Sequence, residues 1–135
     1  MVDAPNRGQD GSGTTRENAP AVFASDPDRN AVFSIHMYDV YDTVTEVEDH
    51  LGSSVDRGLP IVVGEFGYDH SDGNPDEDAV MATARQLGLA CQGWSWSGIG
   101  GGVEYLDLAA GFDADRLGGS GERRFHGPDG IRQTP

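Results

Sequence analysis

The sequence contains no lysine: its nine basic residues are all arginines, set against 23 acidic ones. That absence removes a Walker A phosphate site, a Schiff-base mechanism and any other chemistry that needs an amine side chain. Positive charge is scarce altogether. The formal net charge is -14, and a polyanion of this kind is repelled by nucleic acid and by anionic membrane surfaces, so neither is expected as a partner. Cys91 is the sole cysteine, which excludes an internal disulfide and a multi-cysteine zinc site. No apolar run approaches the roughly 20 residues of a membrane span, and the first twenty residues hold no signal-peptide hydrophobic core. Length is short too. At 135 residues the chain fits one compact domain, whereas a complete eight-stranded α/β barrel takes roughly 250.

What is present alternates between two periodicities. Ala31-Val-Phe-Ser-Ile-His-Met-Tyr38 is a nearly continuous apolar run with β-branched and aromatic character, which predicts a buried strand. Thr43 to Arg57 switches to helical spacing, with Val44, Val47, Leu51 and Val55 on one stripe. Thr43 and Glu46 form a T-x-x-E capping box at its start, and Gly58 and Pro60 close it. Ile61-Val-Val-Gly-Glu65 predicts a second strand, Pro75 to Leu87 a helix capped by Asn74, and Leu89 to Trp96 a third strand. Met1-Val-Asp3 reads as a short further strand, Thr15 to Ser25 as a weak helix interrupted by Pro20, and the chain from about residue 116 as a loop-rich tail. Strand, helix, strand, helix, strand with short connections is the pattern of parallel βαβ units in one domain spanning 1–135.

In parallel α/β folds the reactive groups gather at the carboxyl ends of the strands. Those ends read His36-Met-Tyr38, Gly64-Glu65-Phe66-Gly67 and Trp94-Ser-Trp96. Side-chain alternation puts His36 and Tyr38 on one face, and Trp94 with Trp96 likewise. Glu65, emerging from an apolar strand, needs donors to offset its desolvation: an arginine would make it a structural ion pair, whereas the Tyr38 phenol and the His36 imidazole would make it a tuned nucleophile or acid. The tryptophans read either as core or as stacking platforms for a sugar ring. Other motifs are weaker. Asp69 to Asp78 is rich in carboxylates but lacks EF-hand spacing, and its later acids suit a helix start, so no metal or cofactor is expected. Gly93-Trp-Ser-Trp-Ser97 nearly matches a nucleophile elbow around Ser95, yet a glycine run from Gly98 to Gly102 follows where a helix should.

Val32-Phe-Ser-Ile-His-Met-Tyr38, Gly58-Leu-Pro-Ile-Val-Val-Gly-Glu-Phe-Gly67 and Gly93-Trp-Ser-Trp-Ser-Gly98, in this order and spacing, resemble the second half of glycoside hydrolase family 5, closest to its bacterial β-mannanases. The resemblance covers nearly the whole chain. It implies a partial (β/α)8 barrel, about strands five to eight, from a secreted enzyme that cleaves β-1,4-linked polysaccharide, β-mannan or cellulose, with retention. It also implies roles: Glu65 as the nucleophile, Tyr38 orienting it, His36 lining the cleavage site, and Trp94, with Trp96 beside it, under the sugar.

A retaining mechanism needs a second carboxyl group about 5 to 5.5 Å from the nucleophile. In the family that group is the Glu of an Asn-Glu-Pro motif, and no N-E-P occurs here. The chain is therefore expected to be inactive alone and to associate with an amino-terminal half. Where such mannanases read P-N-W-G-Q-D-W, this sequence has Pro5-Asn-Arg-Gly-Gln-Asp-Gly11, without either aromatic. Two competing expectations are a non-catalytic carbohydrate-binding fragment and a small doubly wound serine hydrolase using Ser95.

Overall fold

In the computed structural model, which describes residues 1–69 and 73–133, three parallel strands form one sheet in chain order. They are β1 (Val2–Asp3), β2 (Phe33–Met37) and β3 (Ile61–Phe66). Helices α1 (Thr14–Ser25), α2 (Val44–Asp56) and α3 (Glu77–Leu87) follow them. Ile35 and Met37 of β2 and Ile61, Val63 and Phe66 of β3 make one core with Val47 and Leu51 of α2 and Ala79, Val80 and Met81 of α3. Phe33, on the same face of β2 by alternation, packs with Leu59 against Ala19 of α1. The helices thus cover one face of the sheet, which departs from a doubly wound protein, where both faces are covered. No helix among the described residues is long and apolar enough to cross a membrane.

Local signals account for most helix ends. The Thr43 hydroxyl oxygen accepts from the Glu46 amide at 3.3 Å, and the hydroxyl donates to the Glu46 carboxylate at 2.7 Å. Gly58, at φ 68, takes the left-handed conformation that closes α2. The cap of α3 is Asp76 rather than the expected Asn74: its carboxylate accepts from the Ala79 amide at 2.9 Å, so the helix starts after it. At α1, Gly13 has no side chain to cap with, and Asp10 takes over by accepting from the Thr15 and Arg16 amides at 2.8 and 2.9 Å. The helix runs through Pro20, because the packing of neighbouring Ala19 against Phe33 holds the turn that the missing N–H would weaken.

Two expectations fail. Leu89–Trp96 is not a strand; it lies along β3 with a single bridge, Val63 to Cys91. The Val63 amide donates to Ala90, while the Gln92 amide donates back to Val63, but a ladder needs continuous pairing that one neighbour at this length does not supply. The tail, expected as loop, contains helix α4 (Gly119–His126). That helix anchors through Arg124, whose guanidinium lies 4.0 Å over the Phe66 ring, so its inward residue is a cation that apolar periodicity overlooks.

His50 on α2 is 4% exposed, with the Tyr41 hydroxyl 3.4 Å from its Nδ1. Desolvation pushes its pKa below the ordinary 6.5, with Asp10 opposing and Arg16 assisting. A histidine that stays neutral when folded binds fewer protons than in the unfolded chain. Stability is therefore lost as pH falls from about 6.5 toward the folded value. Urea unfolding at pH 5.5 and 7.5 is expected to show a steeper acid loss in the native chain than in His50→Gln; equal losses would refute the assignment.

Candidate active site

The reactive end of the sheet is built around an irregularity. Ile35 pairs with Val63, but His36 pairs with Glu65, so Gly64 is an extra residue in β3. In an unbroken strand Glu65 would follow the parity of Ile61 and Val63 and face the helices beside Met37. The bulge resets the alternation, leaving Phe66 on the core face and turning Glu65 to the face of His36. A Cβ at position 64 would run into the Ser34 hydroxyl, so any larger residue there requires Ser34 to move.

Glu65 then meets two side chains at one oxygen. The Tyr38 hydroxyl donates to Oε2 at 3.4 Å, and His36 Nδ1 stands 3.3 Å from the same atom. The other imidazole nitrogen lies 3.9 Å from Asp3 Oδ1. Glu65 is 26% exposed and His36 17%, so the pair is sheltered yet reachable. Burial, the facing Glu65 charge and the hydrogen bond to it push the Tyr38 phenol well above its ordinary 10.0. It therefore remains a proton donor to the carboxylate at any working pH.

Two loops complete a cleft of about 210 Å³. The turn after β1 carries three successive left-handed residues, Asn6, Arg7 and Gly8, at φ 56, 60 and 84. It is pinned by the His36 amide, which donates to Gly8 at 2.8 Å, and Gly8 lies so close to the imidazole that a Cβ would collide with the ring. This turn brings Arg7 and Gln9 to the cleft, and Gln9 Oε1 is buried there without a hydrogen-bond partner. The second loop brings Trp94 and Tyr105. It is tied by Asp107, which accepts from the Ser95 hydroxyl at 2.7 Å and from the Gly98 and Ile99 amides at 2.7 and 3.3 Å.

His36, Tyr38, Glu65 and Trp94 therefore come together as the sequence led one to expect. Trp96 does not join them: it packs edge-on against Phe125 of α4, with ring centroids 6.4 Å apart. Ser95 donates to the Asp107 carboxylate, and among the described residues none is placed as the imidazole base that a serine nucleophile needs. Arg7 and Gln9 sit in a motif the sequence does display, but their nearness to Glu65 depends on the β1 turn; Tyr105 gives no sequence signal at all. Among the described residues no group of three or more His, Cys, Asp or Glu side chains is placed to hold a metal ion. Positions 70–72 of the acidic Asp69–Asp78 stretch lie outside the described residues. A cavity of about 310 Å³ lined by Met81, Leu89, Cys91 and Arg124 contains no carboxylate beside a phenol and imidazole.

Comparison with known proteins places this geometry. The family model described as cellulase, glycosyl hydrolase family 5, matches residues 1–100. A mannan endo-1,4-beta-mannosidase of Streptomyces lividans is 67% identical over 134 residues, which is 99% of this chain and 35% of that protein. Among solved structures, the β-mannanase from Thermomonospora fusca aligns with a TM-score of 0.95 and 59% identity, over 98% of this chain and 44% of that one. The mannohexaose complex of T. fusca β-mannanase aligns at 0.93 and 55%, over 98% and 43%. The chain thus spans about a third of the curated relative and less than half of the solved structures. On the family match across residues 1–100 and the identity along nearly its whole length, the chain belongs to glycosyl hydrolase family 5.

Proposed function

We propose that this chain is the nucleophile-bearing portion of a β-mannanase barrel, about strands five to eight, and that the completed barrel hydrolyses β-1,4-mannan with retention. The observation that carries the reading is the convergence of Tyr38 and His36 on one oxygen of Glu65 at the mouth of a cleft walled by Trp94. The remaining Glu65 oxygen attacks the anomeric carbon and the glycosidic C–O bond breaks. The leaving oxygen takes a proton from a second carboxylic acid. A water that gives its proton to that same carboxylate then cleaves the glycosyl ester and frees Glu65. Trp94, 42% exposed, offers its face to the sugar next to the scissile bond. A polysaccharide cannot cross a membrane, so the whole enzyme acts outside the cell.

Among the described residues that line the cleft, Glu65 is the only carboxylate, which favours a second role for the chain by itself: binding without turnover. The titration that tests the reading follows tryptophan fluorescence of the chain with mannohexaose. Saturable quenching without product is expected, and binding should weaken about tenfold or more in Trp94→Ala, a loss of roughly 1.4 kcal/mol or more. An unresponsive chain, or a Trp94→Ala variant that binds equally well, would overturn the cleft assignment.

A further inference from the structure

Arg7 lines the cleft that holds Glu65 and Trp94. Six of the other eight arginines are engaged: Arg16 with Asp49, Arg85 with Asp129, Arg123 with Asp78, Arg57 with the Arg16 carbonyl, and Arg29 and Arg124 over Phe23 and Phe66. Arg7 is exposed and makes no hydrogen bond or ion pair with any described residue, in a chain with 23 acids available to neutralise it. Its backbone is nevertheless fixed, because the left-handed turn from Asn6 to Gly8 is held against His36. A guanidinium unpaired among the described residues, carried into the cleft by a fixed turn, is a fork for a carboxylate.

Resting on the mannan reading above, we propose that Arg7 is a specificity-determining residue that selects β-glycan chains bearing a carboxylate, such as a uronic-acid branch, over neutral chains. The overall charge of -14 repels an acidic glycan at long range, but at about 0.15 M salt the screening length is about 8 Å, so a direct contact outlasts the repulsion.

The test titrates the chain at that salt with a neutral mannooligosaccharide and with the same oligosaccharide carrying one glucuronic acid. The acidic ligand is expected to bind more tightly. The ratio of the two affinities should fall about tenfold in Arg7→Asn, which tolerates the left-handed turn, be partly retained in Arg7→Lys, and shrink in 0.5 M salt. Binding of both ligands with no acidic preference, or a ratio untouched in Arg7→Asn, overturns the role of Arg7 and leaves the mannan reading standing. Binding of neither overturns both.

Discussion

Replacing Glu65 with Gln is expected to lower mannan hydrolysis by roughly 10⁴ to 10⁶ in kcat, the scale on which removing a nucleophile acts. The measurement requires a complete barrel, obtained by combining residues 1–135 with the amino-terminal part of a relative such as the S. lividans mannosidase, 67% identical over 134 residues. Gln keeps the shape of Glu and still accepts from the Tyr38 hydroxyl, now 3.4 Å away, so a loss reports the missing negative charge and nucleophile. Glu65→Asp, which withdraws the oxygens by one methylene, should lose activity by an intermediate factor. Product sugars should keep the anomeric configuration of the substrate. A folded complex in which Glu65→Gln hydrolyses mannan as fast as the parent would remove Glu65 from the chemistry.

The second large effect concerns stability. Phe66 is 1% exposed and sits in the main core, so Phe66→Ala should cost about 3–5 kcal/mol in a domain whose whole stability is about 5–15. The ring also carries the Arg124 guanidinium at 4.0 Å, while Nε and Nη1 of that arginine have no hydrogen-bond partner. Truncating Phe66 therefore leaves a buried cation without its ring and with one acceptor, the Cys91 carbonyl at 3.4 Å from Nη2. Arg124→Met should behave in the opposite sense, neutral or stabilising, because it removes a desolvated charge and keeps the volume. Urea unfolding decides both; a loss below about 1 kcal/mol for Phe66→Ala would be incompatible with the packing described.

How far the chain was legible depends on how local each signal is. The limits of α2 follow from Thr43, Glu46 and Gly58, all within a turn of the ends they fix, and the β3 core from its run of β-branched residues. The path along Leu89–Trp96 was misread because a strand is defined by its neighbours, and this segment has one bridge. Helix α4 escaped notice because its inward residue is Arg124, which belongs to the core only through the face of Phe66. At the site, His36, Tyr38 and Glu65 could be found because strand ends concentrate reactive groups. Arg7, Gln9 and Tyr105 depend on how loops fold back over the sheet, and Trp96 was lost to Phe125 for the same reason.

The bulge at Gly64 makes residue number a chemical variable. Between Val63 and Glu65 the chain inserts one residue with no side chain, and that single count sets the parity by which the carboxylate emerges into the cleft rather than among the helices. A deletion at Gly64 would leave every functional residue in the sequence and the strand still apolar, yet point the acid into the core beside Met37. In this motif the spacing of I-V-V-G-E decides where the carboxylate emerges.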